Sequence, residues 1–290
     1  MNDYLIRATG YQNEVRAFSV VSTSVVSEAQ ARHQTSATAS AALGRTLSVA
    51  AMMGAMYKGN EKITVKIEGD GPVGAIIVDA NTKGNVRGYV HHPKADVPRY
   101  ENGKLAVGNL VGNGFLTVVK DLGLKENFSG MVPLVTGEIG EDFTYYFATS
   151  EQTPSAIGVG VLVNPDDKIK AAGGFIVQVM PGASEETISD LERRITSLPQ
   201  VSSLVEKGYN PEQILQTVLG EKNVNVLDKK PIQFYCECSK DRFAQAIAGL
   251  GNEEIEAIIE EDGQAEVVCQ FCGDQYLFTK EDLEKLKVND

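Results

Sequence analysis

The sequence lacks the long apolar segment and the signal-like start that would place it in or across a membrane. It contains no run of about 18 apolar residues, because its most hydrophobic stretch, 41–56, is interrupted by Gly44, Arg45 and Ser48. Its first four residues include no basic segment that leads into an apolar block. We therefore expect a leaderless, cytoplasmic protein without a membrane partner.

The sequence is also poor in positive charge. Its 290 residues carry 27 basic and 39 acidic side chains, which gives a formal net charge of −12. Most of the excess lies at the end of the chain, since residues 231–290 hold 14 acidic and five basic side chains. This balance repels a phosphate backbone and argues against nucleic-acid binding.

Catalytic motifs are absent as well. Neither a Gly-x-Ser-x-Gly elbow nor a His-Glu-x-x-His pair occurs, and His91 and His92, which are adjacent, cannot face one another on a strand or a helix. Residues 69–74 match the glycine pattern of a dinucleotide fingerprint, but the β-rich residues 75–78 follow where that motif needs a helix. We interpret 69–74 as a hairpin turn and predict that the protein is not an enzyme.

Cysteine is missing from the first 235 residues, and the four cysteines are Cys236, Cys238, Cys269 and Cys272. Two close pairs in a cytoplasmic chain of this size are more typical of a metal site than of disulfides. Four thiolates fill a tetrahedral Zn²⁺ site without an open position, and Gly273 permits the knuckle turn that follows Cys-x-x-Cys. The sequence predicts one zinc ion held by these four side chains.

The distribution of glycine divides the chain. Of its 28 glycines, 22 lie in the first 182 residues, where apolar alternation at 63–67 and a β-rich run at 75–78 flank the turn. One long helix is predicted from Thr35 to Tyr57, with its end at Lys58-Gly59.

We predict an α+β fold in three segments. Residues 1–180 form a glycine-rich sheet domain with a long helix, residues 181–231 form a helical linker, and residues 232–290 form a small zinc-binding domain. In the last segment we expect a strand at Phe234-Tyr235, a hairpin around Cys269 and a final helix capped by Thr279.

The linker has the signals of two short helices. Ser184 is a candidate N-cap of the first, and the second runs from Pro211 to Leu219. The first helix carries an apolar face made of Ile188, Leu191, Ile195 and Leu198. Helices this short are unstable alone, so we expect the linker to depend on burial against a neighbouring domain.

These features together predict a response to oxidants. Thiolates react with peroxide, and oxidation of either close pair to a disulfide deletes two zinc ligands at once. A unit of this size has a small core, so loss of the metal should unfold it and loosen the linker. The apolar linker face would then be exposed, and such a surface binds unfolded chains.

The chain resembles the bacterial redox-regulated heat-shock chaperones, the thirty-three-kilodalton chaperonin family, over essentially its whole length. The resemblance rests on the Cys-x-Cys and Cys-x-x-Cys pairs and on three further segments, Ala42-Leu43-Gly44-Arg45, Gly69-Asp70-Gly71-Pro72 and Ser150-Glu151-Gln152-Thr153-Pro154-Ser155-Ala156.

This resemblance implies an ATP-independent holdase that is inactive when reduced and zinc-bound and is activated by oxidant together with mild unfolding. It implies that on oxidation Cys236 pairs with Cys238 and Cys269 with Cys272, the Cys-x-x-Cys pair first, and that the zinc domain and linker then unfold. It also implies a homodimer as the active species, unfolded or partly folded proteins as clients, and their transfer to ATP-dependent foldases after reduction.

Two other functions remain alternatives at this point. A zinc-ribbon nucleic-acid-binding protein would present a basic face, which the acidic surroundings of the cysteines oppose. A dithiol oxidoreductase could use Cys269 and Cys272, but catalytic pairs usually lie at a helix N-terminus and these residues are predicted in a hairpin.

Overall fold

The computed structural model of the chain describes residues 3–287. The chain divides into two compact units, an N-terminal unit, Met1–Tyr235, and a C-terminal unit, Cys236–Asp290. Helices and strands alternate along the N-terminal unit, which confirms the predicted α+β class. Among residues 3–287, no helix combines the length and apolar character needed to cross a bilayer.

The strands of the N-terminal unit form two sheets. In chain order they are β1 (Tyr4–Gly10), β2 (Val15–Val21), β3 (Lys62–Gly69), β4 (Ala75–Asn81), β5 (Asn85–Val90), β6 (Gly114–Asp121), β7 (Phe128–Pro133), β8 (Ser155–Val163), β9 (Ile169–Val179), β10 (Asn225–Pro231) and β11 (Gln233–Phe234). The first sheet has the order β10-β1-β2-β9-β8 and the second has the order β11-β5-β4-β3-β6-β7. Neighbouring strands are antiparallel, except that β11 runs parallel to β5.

The helices of the same unit lie between and outside these sheets. They are α1 (Thr23–His33), α2 (Ala37–Gly54), α3 (Val107–Val111), α4 (Gly140–Thr149), α5 (Glu185–Thr196), α6 (Val201–Glu206) and α7 (Pro211–Leu219). Helix α2 contacts strands of both sheets, and 17 of its 18 residues are buried. A helix that is buried on nearly all sides lies inside a core, and the apolar side chains of α2 belong to the main core of this unit.

Three segments that carry the family resemblance have structural explanations. Gly44 lets α1 and β8 approach α2, because a Cβ atom there would lie 2.6 Å from a methyl group of Val26. A Cβ on Gly69 would lie 1.9 Å from the carbonyl oxygen of Val111. Glu151 accepts hydrogen bonds from Tyr146 and Lys120. These positions therefore maintain packing in the N-terminal unit.

The predicted hairpin and both predicted linker helices are confirmed. Strands β3 and β4 pair in register, and the turn 69–74 between them is not followed by a helix. Ser184 caps α5, since its side chain accepts a hydrogen bond from the Thr187 amide. Helix α7 has the predicted limits, with Asn210 as its cap.

Three predicted boundaries were wrong, and helices α1, α3, α4 and α6 were not predicted. Helix α2 ends at Gly54 rather than near Lys58, because Gly54 packs against the Asn81 carbonyl and the next residues form tight i→i+3 turns. The strand expected at Phe234-Tyr235 is β11, one residue earlier, and Leu198, which was expected on the first linker helix, lies beyond α5, because that helix ends at Thr196 with Ser197 as its C-cap.

The linker helices cover the outer face of the first sheet. Fourteen buried side chains from strands β1, β2 and β9 and from α5, α6 and α7 form a second core there. Leu191 belongs to this core, Ile195 and Leu198 pack against it half-buried, and Ile188 is half-buried outside it. The first sheet is thus buried on both faces, by α2 on one side and by the linker on the other.

The C-terminal unit is small. Its elements are α8 (Lys240–Ala248), α9 (Asn252–Glu261), β12 (Gln264–Val268), β13 (Gln275–Thr279) and α10 (Lys280–Leu286). Strands β12 and β13 form the predicted hairpin, and Thr279 caps α10 as predicted. Five buried apolar side chains form its core, Ile247, Ile255, Ile259, Phe278 and Leu283. A core of this size gives the unit little stability of its own.

Candidate metal centre

The four cysteines come together from two segments of the C-terminal unit. Cys269 and Cys272 lie in the turn between β12 and β13, and Cys236 and Cys238 lie in the segment before α8. The turn is closed by two backbone hydrogen bonds, from the Gly273 amide to the Cys269 carbonyl at 2.7 Å and from the Cys269 amide to the Asp274 carbonyl at 2.9 Å. Gly273 has φ 78°, a left-handed conformation that favours glycine, as the knuckle prediction required.

The four sulfur atoms lie within 4.8 Å of one another. Cys236 Sγ is 3.7 Å from Cys269 Sγ, and Cys238 Sγ is 3.3 Å from Cys272 Sγ. Both of these short distances join one pair to the other, so the geometry does not select the sequence-neighbour disulfides that the resemblance implies.

This arrangement fits a tetrahedral metal site. A zinc–sulfur bond of about 2.3 Å gives sulfur–sulfur distances of about 3.8 Å in a regular tetrahedron. The distance between Cys236 and Cys269 already matches this value, and the distance between Cys238 and Cys272 is shorter by about half an ångström. The four side chains together form a possible tetrathiolate metal site.

Burial distinguishes the two pairs. Cys269 and Cys272 are buried, whereas Cys236 and Cys238 are partly exposed. Desolvation raises the pKa of Cys269 and of Cys272 above the ordinary value of 9.0. Without a cation these thiols keep their protons at neutral pH, and a bound divalent cation would favour the thiolates.

Tyr276 is a polar neighbour of the cysteine cluster that was not predicted from the sequence. The Tyr276 hydroxyl lies 3.2 Å from Cys238 Sγ, and this hydrogen bond is the largest cause of the raised pKa of Tyr276. The predicted hairpin around Cys269 could have indicated this contact, because its second strand, β13, begins just after the turn and carries Tyr276. Tyr276 also packs against the small core, so it connects the cysteine cluster with that core.

Polar contacts from the β1–β2 turn hold the first linker helix in place. The Glu14 carboxylate accepts hydrogen bonds from the Ser184 hydroxyl at 2.9 Å and from the Thr187 hydroxyl, at the N-terminus of α5. The Tyr11 hydroxyl donates to Asp190 at 2.7 Å. The hydrogen bond from Arg194 is the largest cause of the low pKa of Asp190, about 2. The linker is therefore attached by apolar packing and by charge-assisted hydrogen bonds.

The chain was compared with known proteins. The family model described as "Hsp33 protein" matches residues 3–279. A protein named 33 kDa chaperonin from Geobacillus sp. (strain WCH70) is 57% identical over 288 residues, which cover 99% of this chain and 98% of that protein. A protein of the same name from Halalkalibacterium halodurans is 56% identical over 287 residues and 99% of each chain.

A solved structure is also similar over the whole chain. The crystal structure of the 33 kDa chaperonin (heat shock protein 33 homologue) from Thermotoga maritima matches with a TM-score of 0.92 at 39% sequence identity. The match covers 99% of this chain and 98% of that one.

Proposed function

The chain belongs to the Hsp33 protein family, and from this membership we propose that it is a redox-regulated, ATP-independent holdase that binds unfolding proteins under oxidative and heat stress. The observation that carries the proposal is the cluster of four cysteine thiols in a unit with a five-residue core. The names of the relatives support a chaperone rather than an enzyme.

In the reduced state the four cysteines would hold one Zn²⁺. Bound zinc would supply folding free energy on the order of 10 kcal/mol, and its thiolate ligands are the form that peroxide attacks. The five core side chains cannot replace such a contribution. The fold of the C-terminal unit would therefore depend on the four thiolates remaining reduced.

Oxidation would remove the ligands in pairs. Two thiols and one hydrogen peroxide yield one disulfide and two water molecules, so each disulfide takes up one equivalent of oxidant. By family resemblance, Cys269 would pair with Cys272 first and Cys236 with Cys238 second. Each step deletes two of the four metal ligands, after which the C-terminal unit would unfold.

The linker would carry this change to the N-terminal unit. Its last strand, β10, is separated by four residues from Cys236, so the chain of an unfolded C-terminal unit continues directly into the edge strands β11 and β10. Release of α5, α6 and α7 would expose their apolar side chains, including Leu191, and the sheet face beneath them, including Phe175. Both surfaces would bind apolar segments of unfolded clients.

The remaining expectations belong to the same proposal. We propose three segments, 1–180, 181–231 and 232–290, with the linker face of Ile188, Leu191, Ile195 and Leu198 as one of the two surfaces that contact clients. We further propose a homodimer as the active species, location in the cytoplasm, and transfer of clients to ATP-dependent foldases on reduction. Nucleic acid and membranes are not proposed as partners.

The proposal is tested by following metal, thiols and client protection in one sample. Zinc content and free thiols of the full chain are measured before and after treatment with peroxide at raised temperature. Light scattering of a heat-unfolding client is recorded with each sample. We expect one zinc to be lost as four thiols disappear, and aggregation to be suppressed only afterwards.

A variant with Cys269→Ser and Cys272→Ser separates oxidation from loss of the metal. It should fail to hold zinc tightly and should protect clients without peroxide. Zinc that stays bound after thiol oxidation, or leaves without any gain in client protection, would contradict the proposal. Turnover in an insulin-reduction assay would instead favour the dithiol oxidoreductase, and salt-dependent RNA or DNA binding would favour the zinc-ribbon alternative.

A further inference from the structure

A basic cleft lies in the N-terminal unit, and all of its lining residues belong to that unit. Its volume is about 440 Å³, within the range of sites for small ligands. It is lined by the end of α2, the β4–β5 turn and strands β1 and β10. Four separate parts of the chain therefore meet at this cleft.

The charge of the cleft is opposite to that of the whole protein. Arg7, Lys58, Lys83 and Lys230 line it, and Asp228 is the one carboxylate among its lining residues. The chain as a whole has a net charge of −12. A local excess of positive charge in an acidic protein concentrates small anions at that place and leaves long polyanions repelled by the surroundings.

These basic side chains are largely without acidic partners. Within residues 3–287, Arg7, Lys58 and Lys83 form no ion pair, and the Nε atom of Arg7 is buried without a hydrogen-bond acceptor. Lys230 donates to the Thr82 carbonyl, a neutral group. A buried donor without a hydrogen-bond partner costs stability. An oxyanion in the cleft would accept the hydrogen bond that Arg7 Nε does not make within the folded chain.

The backbone at Arg7 is irregular in a way that sets its position. Arg7 lies opposite Asp228 in the β1–β10 pair, and the register shifts between Arg7 and Ala8. A bulge changes the direction of the side chains beside it and is common next to ligand sites. In this structure Arg7 and Asp228 lie opposite each other without an ion pair between them, which leaves the guanidinium available.

We propose that this cleft binds a small anion with two or three linked phosphate groups. Four cations against one carboxylate match a ligand of about three negative charges. A guanidinium binds phosphate oxygens through two parallel hydrogen bonds, and lysines bind phosphate as point charges. The Glu61 carboxylate lies next to Gly59, has a buried oxygen and is not among the residues that line the cleft. None of the cysteines lines this site, but Asp228 and Lys230 belong to the proposed linker, so binding is measured on the reduced protein, in which β10 is paired.

Calorimetric titration of the reduced, full-length protein with inorganic triphosphate tests the proposal. The cleft variant is Lys58→Ala with Lys83→Ala, since both side chains are exposed and form no ion pair. The matched control is Lys104→Ala with Lys207→Ala, two exposed lysines outside the cleft. We expect saturable binding by the wild type, unchanged binding by the control and at least a tenfold loss in the cleft variant.

Two further measurements make the result specific. Triphosphate also chelates zinc, but chelation would affect the cleft and control variants equally. Hydrogen exchange at β10 should slow when wild-type protein binds triphosphate, because Lys230 belongs to that strand, and should not slow in the cleft variant. Arg7→Gln, which keeps a polar side chain, should also weaken binding at least tenfold.

Adenosine triphosphate in a parallel titration identifies the source of the phosphate groups. Affinity equal to that of inorganic triphosphate means that the phosphate chain alone is recognised, and tighter binding means that the ligand is a nucleotide. No saturable binding up to about 10 mM, or the same loss in the cleft and control variants, would overturn the proposal.

Discussion

Replacing Leu191 with alanine tests how firmly the linker is attached to the first sheet. Leu191 is 3% exposed and is the residue of α5 that lies fully inside the second core. The substitution removes packing atoms from that core and leaves the α5 cap at Ser184 intact. It leaves the cysteine cluster, which belongs to the other unit, unchanged.

The expected cost follows from the burial of this side chain. Leucine-to-alanine substitutions in protein cores cost about 2.7–5.0 kcal/mol, and the cost is smaller where neighbours can close the cavity. Because α5 is covered from one side only, we expect about 3 kcal/mol at Leu191. The equilibrium constant for local opening of the linker should then rise on the order of a hundredfold.

Hydrogen exchange of the α5 amides, read by mass spectrometry on the reduced, zinc-loaded protein, measures this opening. Ile188→Ala is the matched control, since Ile188 lies on the same helix but is half-buried outside the core, and it should cost about 1 kcal/mol or less. If the linker covers the client surface, Leu191→Ala should also protect clients at a lower temperature or with less peroxide. Equal exchange in the two variants would refute the assignment of Leu191 as the main contact of this helix.

Three further changes test other parts of the structure. Glu14→Gln should speed exchange at the start of α5. Hydrogen bonds from Thr187 and Ser184 lower the pKa of the Glu14 carboxyl below its ordinary value of 4.5. The wild type should therefore lose this protection as the pH falls below 4.5 and through the lowered pKa, and the variant should not. If the four cysteines hold zinc as proposed, its chelation, or Cys272→Ser, should make residues 236–287 susceptible to protease, with zinc affinity reduced more than about a hundredfold in the variant. Thr279→Ala should destabilise α10 by about 1 kcal/mol, which hydrogen exchange of the α10 amides measures. If these amides exchange in the wild type as fast as in an unfolded peptide, the cap is not formed.

The sequence alone was sufficient to predict features that depend on residues close together in the chain, such as helix caps and the two cysteine pairs. Caps at Ser184 and Thr279 act within a few residues of the helices they begin, so their side chains identify those helices without tertiary information. The two cysteine pairs indicated a tetrathiolate site for a similar reason, because thiol chemistry and the short spacing within each pair restrict what they can bind.

Only the tertiary structure decided which surfaces are covered. The apolar face of the first linker helix was predicted as four equivalent residues, but Leu191 is buried and Ile188 is half-buried, because α5 packs on α7 and only Leu191 of this face enters the second core. The approach of Tyr276 to Cys238 and the gathering of Arg7, Lys83 and Lys230 at one cleft join residues far apart in the chain. Such contacts depend on how the sheets and helices pack, which periodicity along one segment does not record. The sequence therefore indicated the four cysteines and the capped helices, and packing decided what each of them contacts.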